Sequence, residues 1–230
     1  MAKDLVIDAL KKMKTSLHEL IELEFADDEI KIFDFSSANE DLGSIIDESA
    51  AVKDEFVKIQ MAEANAKVGI GKYAEDRTIY KWSKLFTANG IERTVHLGMD
   101  IFVPKNTPVL ALQDCEVHSF ANNQTPGDYG PTLVLEHKIG DTKFYTLYGH
   151  LSALSLDGKY PTMEVKKGEC IGFVGNTDEN GRWPEHLHFQ IIRDMQDKQG
   201  DFPGVCAKAD LEKYEEMCPD PNLILNVNGV

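Results

Sequence analysis

The chain has no apolar run long enough to cross a bilayer, no Cys-x-x-Cys pair, no His-Glu-x-x-His motif, and no internal repeat or low-complexity tract. Each absence removes a class of protein. A transmembrane helix needs ~20 consecutive apolar residues, so no membrane partner is expected. Four cysteines in 230 residues do not make a disulfide scaffold. Their spacing offers no structural zinc site either. Reduced thiols are expected, with Cys115 and Cys170 as small core residues, and Cys206 and Cys218 flanking a short helix. Without His-Glu-x-x-His, the glutamate base of that large metalloprotease class is missing. Basic residues are also scarce. Lys and Arg number 24 against 39 Asp and Glu, a net charge of −15, with the acids concentrated towards both ends. Such a surface disfavours nucleic acid, anionic membranes and polyanionic wall polymers, so no nucleic-acid partner is expected.

The first residues do not read as a secretion signal. Leu5, Leu10, Met13, Leu17, Leu20 and Ile21 recur at helical spacing with Lys and Glu between them, which predicts an amphipathic helix over 3–24. Cytoplasmic location is the resulting expectation, and an exported form with its leader removed would read the same. Oligomeric state is not readable from the pattern.

At 230 residues the chain can bury one substantial core. We divide it into an N-terminal α/β accessory region (1–67), a connector packing on the core (68–92), a central domain (93–192) and a C-terminal extension (193–230). The first contains a strand near 29–35 and a helix over 45–66. The connector carries Tyr73, Tyr80, Trp82 and Phe86. In the central domain, short apolar segments alternate with turn signals: 107–112, 115–120, 132–138, 143–147, 170–174 and 186–192, with a hairpin turn at Gly140-Asp141. That density implies a mainly β chain with α flanks, an antiparallel β-sandwich or partly open barrel. A last helix is expected near 209–217, before Pro219 and Pro221.

Four of the seven histidines fall in three short stretches: His96-Leu97-Gly98-Met99-Asp100, Tyr148-Gly149-His150-Leu151, and His186-Leu187-His188-Phe189. Two imidazoles and a carboxylate leave Zn²⁺ with a position for solvent, as catalytic rather than structural sites do. His186 and His188 alternate with an apolar residue, so both lie on one face of a strand, ~7 Å apart at the backbone. His96 and Asp100 would stand ~13 Å apart in fully extended chain, too far for one ion. The chain must therefore bend or change strand near Gly98, where the missing side chain leaves room for a metal. Isolated histidines such as His18, His118 and His137 are ordinarily structural or solvated, and Tyr148 reads as a packing residue.

The order of these motifs resembles that of the LytM/lysostaphin-type zinc metallopeptidases. The likeness runs from about Arg93 to Ile192 and includes Val165-Lys166-Lys167-Gly168 and Gly172-Phe173-Val174-Gly175-Asn176-Thr177. It implies His96, Asp100 and His188 as zinc ligands, with His150 and His186 as the catalytic pair that orients water, shuttles protons and stabilises the developing oxyanion. Two places depart from the pattern. Cys115 stands where a turn glycine is common, and Asn180-Gly181-Arg182-Trp183-Pro184-Glu185 replaces a short Gly-rich turn, with Glu185 placed to affect access or His186. A narrower likeness, through Gly71-Lys72-Tyr73, Tyr80, Phe202-Pro203-Gly204-Val205 and Cys218-Pro219-Asp220-Pro221-Asn222, is to the metallopeptidase-like module of bacterial kinase/aminotransferase fusion proteins.

The resulting expectation is a zinc-dependent peptidase or amidase acting on a peptide or peptidoglycan-fragment substrate. An unligated histidine titrates near neutral pH and serves where no glutamate base exists. Two other classes remain: a LytM-like regulatory or binding module without turnover, and a histidine phosphocarrier of the sugar phosphotransferase system. The His96–Asp100 pair favours metal ligation over phosphoryl transfer.

Overall fold

The computed structural model describes residues 4–13, 15–45, 47–87 and 90–230. Twelve strands lie among them: β1 (Ile30–Ile32), β2 (Val68–Gly71), β3 (Val95–His96), β4 (Met99–Phe102), β5 (Pro108–Leu110), β6 (Cys115–Asn123), β7 (Gly130–Ile139), β8 (Thr142–Gly149), β9 (Glu164–Val165), β10 (Cys170–Phe173), β11 (Leu187–Ile192) and β12 (Val205–Cys206). Eight form one sheet in the order β1-β2-β4-β11-β8-β7-β6-β9. All its neighbouring pairs are antiparallel except β1–β2. β5–β10 and β3–β12 make two antiparallel ribbons. The chain is therefore mainly β with helical flanks, and its sheet is open rather than closed into a barrel.

β11 is the centre of the arrangement, with β4 on one side and β8 on the other. Its alternation assigns its two faces. Leu187, Phe189 and Ile191 enter the main core with Ile70, Met99, Ile101 and Tyr148. Burial of each such large apolar side chain stabilises the fold by ~1.5–3 kcal/mol. His188 and Gln190 take the opposite face, where the site is built. The β7–β8 hairpin turns at Gly140-Asp141 as expected, with Gly140 at φ +60 and Ile139 paired to Thr142. Tyr148 packs as expected, with no exposure and its ring against Phe189.

The helices are shorter than their periodicity suggests. The helix expected over 3–24 is two pieces, α1 (Leu5–Met13) and α2 (Leu17–Leu20). Within that range, residues 3 and 14 lie outside the described residues. The break has a long-range cause: the Thr15 hydroxyl donates to the Ile224 carbonyl at 2.8 Å, and Ser16 is fully extended. Ile21 then leaves helical geometry to bridge Val109. In place of a helix over 45–66, α3 spans Ala50–Glu63. It starts where the Ser49 hydroxyl accepts from the Val52 N–H and stops before Asn65, at φ 51. α4 (Leu211–Met217) and α5 (Asn222–Leu225) close the chain. Among the described residues, no helix is long and apolar enough to cross a membrane.

All four cysteines are free thiols. Cys206 and Cys218 are buried, but Cys170, expected in the core, is exposed. Among the described residues β10 pairs only with β5, and it is Ile171 that turns inward.

Candidate metal centre

Sheet register assembles the centre. In β11, His188 lies opposite Asp100 of β4 and Gly149 of β8, so the carboxylate and the residue after Gly149, His150, flank it. His186 immediately precedes β11. His96 arrives from β3, which pairs with β12, whereas Met99 begins a strand paired with β11 and β2. The chain thus changes strand at Leu97-Gly98, as the spacing requires. A Cβ on Gly98 would meet His188 Cε1 at 2.6 Å and the Phe189 carbonyl at 2.8 Å. The space left by Gly98 is therefore filled by the His188 ring, rather than reserved for a metal.

Among the described residues, His96, Asp100 and His188 form a group able to hold a metal ion. His96 Nε2 and His188 Nδ1 are 3.0 Å apart, and each faces Asp100 Oδ1, at 3.2 and 3.1 Å. A tetrahedral ion with ligand distances of ~2.0–2.1 Å has edges of roughly 3.3 Å, close to this triangle. The outward nitrogens settle the tautomers. His96 Nδ1 donates to the Lys72 carbonyl at 3.1 Å, and His188 Nε2 to Gln190 Oε1 at 2.9 Å. Both inward nitrogens then present lone pairs to a carboxylate oxygen, with no hydrogen between the three atoms. A cation at their centre resolves that repulsion, so the donor set fits Zn²⁺.

The second histidine pair is held differently. His150 Nδ1 donates to the Asn180 carbonyl at 2.8 Å, and His186 Nδ1 to the Pro184 carbonyl at 2.7 Å. Their rings lie 4.3 Å apart, and both Nε2 atoms are left as acceptors. Both anchors come from the 180–185 loop that departs from the usual pattern. The Glu185 carboxylate does not act on His186. It accepts from the Lys105 N–H at 3.0 Å and lies 3.7 Å from Lys58 Nζ. His150 sits at φ 62, a left-handed backbone that is uncommon outside glycine and clusters at functional sites.

Burial governs the protonation of these groups. Desolvation, reinforced by neighbouring histidines, holds His150 well below its ordinary pKa. Desolvation also lowers His186, with Asp100 opposing. Both are neutral at neutral pH. Burial opposes ionisation of Asp100, but His96 and Arg77 hold it well below the usual carboxylate range.

Arg77 was not singled out by its sequence context. Its guanidinium, almost fully buried, donates to Asp100 Oδ2 at 2.5 Å, Glu75 Oε2 at 2.9 Å and the Tyr80 hydroxyl at 3.2 Å. Gly71 pairs with Asp100 across β2–β4, and a Cβ there would lie 2.8 Å from Arg77 Nη2. Glycine is what lets the guanidinium cross to the ligand. Gln190 was missed too, although it continues the two-residue alternation of His186 and His188. Its amide donates to the Pro203 carbonyl at 3.1 Å, which turns its oxygen towards His188.

Beside the ligands lies a cleft of about 1090 Å³, partly continuous with solvent. Its walls include Phe35 and Val57 from the N-terminal region, Tyr80 and Phe86 from the connector, and Phe202 from the C-terminal extension.

Residues 94–200 match the family model described as Peptidase family M23. The DD-carboxypeptidase/endopeptidase Mpg of Neisseria meningitidis serogroup B is 38% identical over 96 residues, covering 42% of this chain and 20% of the relative. The cell division protein DipM of Caulobacter vibrioides is 35% identical over 94 residues, covering 41% and 14%. The match thus spans a fifth or less of these curated relatives' length. The catalytic domain of the antimicrobial peptidase lysostaphin from Staphylococcus simulans is 24% identical, covers 54% of this chain and 82% of its own, and superposes with a TM-score of 0.37. On the family match and the sequence relatives, this chain carries an M23 peptidase domain over residues 94–200.

Proposed function

We propose that the chain is a zinc-dependent peptidase that hydrolyses amide bonds of soluble peptides, peptidoglycan fragments among them, and that it works in the cytoplasm. The observation that carries this reading is the convergence of His96 Nε2, Asp100 Oδ1 and His188 Nδ1, all turned inward without a hydrogen between them, next to two further histidines with bare Nε2 atoms. When bound, Zn²⁺ supplies a Lewis acid that polarises a carbonyl and makes water a better nucleophile at neutral pH.

The rest of the chemistry belongs to side chains. Neutral His150 or His186 accepts a proton at Nε2 from the attacking water as its oxygen bonds to the acyl carbon. The same nitrogen returns that proton to the departing amine as the C–N bond breaks. One water is consumed, and a carboxylate and an amine are released. While protonated, the imidazole also donates to the oxygen on which charge develops. The Asn180 and Pro184 carbonyls keep both rings in the required tautomer and orientation.

The net charge of −15 supports soluble substrates over intact wall, since polyanionic wall polymers are repelled by an acidic surface. The test is release of new amines from intact sacculi, soluble muropeptides and short peptides by zinc-loaded protein, before and after chelation. Zinc-dependent release, faster on the soluble substrates, is expected. No release from any of them by protein carrying one zinc would overturn the reading. Rapid clearing of sacculi would overturn only the choice of substrate and compartment.

A further inference from the structure

The cleft beside the ligands has one wall that comes largely from residues before the M23 match. Phe33, Phe35, Leu42, Ile45, Val57 and Phe102 form an apolar cluster, with Phe56 of α3 packed against it. Phe35, Ile45, Phe56, Val57 and Phe102 line the cleft. The Phe102 ring stacks on His186 at 4.9 Å and meets the Phe35 ring at 5.5 Å. An apolar surface therefore begins at a catalytic histidine and continues into the N-terminal region. Asp54 of α3 accepts the Glu185 N–H at 2.9 Å, which ties the helix to the loop that leads into His186.

Two features limit what this wall can recognise. The cations near it are already matched. Arg77 is held by Asp100 and Glu75, with its guanidinium over the Phe35 ring at 5.2 Å, and the charge of Lys53 is faced by Asp47 and Glu48. Neither waits for an anionic ligand. In addition β4, which carries Asp100 and Phe102, is paired on both sides, with β2 and with β11. An extended peptide cannot add itself to that strand through its backbone. What remains is a surface of rings and aliphatic side chains beside solvent, which recognises an apolar group by the area it buries.

We propose that this wall is a specificity pocket for a bulky apolar side chain, aromatic or branched aliphatic, on a residue adjoining the scissile amide, with Phe35, Phe56 and Phe102 as its specificity-determining residues. This rests on reading the site as an amide hydrolase and specifies its substrate. Peptides with a large apolar residue at the bond are preferred over those with glycine or alanine there. The substrate is gripped by a side chain rather than by its backbone. Phe35 and Phe56 lie outside residues 94–200, so the N-terminal flank sets what the M23 domain accepts.

The experiment uses the full zinc-loaded chain and three uncharged, doubly blocked peptides: acetyl-Ala-Ala-amide, acetyl-Phe-Ala-amide and acetyl-Ala-Phe-amide. Hydrolysis is followed by amine release and binding by calorimetry. One of the two Phe peptides should show a kcat/KM roughly 10–100-fold above that of the Ala-Ala peptide, the range for burying one large apolar side chain. Phe56→Asp should erase most of that ratio, and Phe56→Leu should keep part of it. Hydrolysis of both Phe peptides no faster than the Ala-Ala peptide overturns this inference and leaves the hydrolase reading standing. So does an unchanged ratio in Phe56→Asp with its melting temperature unaltered. Tighter binding of a Phe peptide without hydrolysis of any has the opposite meaning: the hydrolase reading falls and the pocket stands. Equal binding of all three without hydrolysis, or no binding, overturns the pocket.

Discussion

Arg77 and Asp100 are joined by an ion pair of 2.5 Å on the carboxylate oxygen that the two ligand histidines do not face. One oxygen of Asp100 is thereby held by the connector, and the other is left for the metal. The guanidinium also spans to Glu75 at 2.9 Å, so one buried cation bridges two buried carboxylates, and Lys72 Nζ stands 3.4 Å from the other oxygen of Glu75.

Replacing Arg77 by Met should therefore destabilise the protein by about 3–5 kcal/mol, because buried Asp100 loses its cation and Glu75 keeps only Lys72. Arg77→Lys should recover only part of this, since an ammonium cannot span both carboxylates with a planar fork. Thermal or urea denaturation measures it. An Arg77→Met protein as stable as the parent would show that the network contributes nothing.

Asp100→Ala removes the only anionic ligand of the set and leaves Arg77 facing Glu75 alone. Zinc should be lost, where the parent chain binds about one ion that chelators remove. Added zinc should raise the melting temperature of the parent and not of the variant, as binding to the native state alone requires. Full zinc occupancy of Asp100→Ala by elemental analysis would refute the ligand assignment.

His150→Ala and His186→Ala should each retain zinc and lose roughly 10²–10⁴-fold in hydrolysis, the range for a lost general acid or base. His188→Ala should lose zinc instead. Metal loss in His186→Ala with retention in His188→Ala would reverse their roles.

His137 is fully buried, with its ring on Phe144 at 4.9 Å and Nε2 2.7 Å from the Thr146 hydroxyl. Burial pushes its pKa down to about 4. In the unfolded chain it titrates near 6.5. Above that value both states are neutral and the shift has no effect. As pH falls from about 6.5 to about 4 the unfolded state takes up the proton first, and stability drops by roughly 3 kcal/mol at most. His137→Gln should flatten this part of the pH–stability curve, whatever its effect at pH 8. Parallel curves for parent and variant would contradict the assignment.

The five polar residues of the centre were legible because a metal site demands particular side chains, and the register of β11 turns a two-residue alternation into one face. The strand change at Gly98 was equally legible, from reach alone. Arg77 was not. It comes to Asp100 through the β2–β4 pairing of Gly71 with Asp100, and nothing near position 77 separates it from a surface arginine. The break in the first helix was hidden for a similar reason. Thr15 is tied to Ile224, 209 residues away, and local periodicity carries no trace of that bond. Lys53 illustrates the converse. A lysine in an amphipathic helix reads as solvated, yet Lys53 is 2% exposed, and local periodicity does not show it.

β2 also closes a sheet edge. It covers the free side of β4, pairing Gly69, Ile70 and Gly71 with Phe102, Ile101 and Asp100. A chain trimmed to residues 94–200 would leave Met99–Phe102 as a naked, apolar sheet edge with unpaired N–H and C=O groups, the kind of surface that recruits strands from neighbouring molecules. The isolated M23 segment would then self-associate in a concentration-dependent way, and the acidic N-terminal region would act as its built-in guard against aggregation.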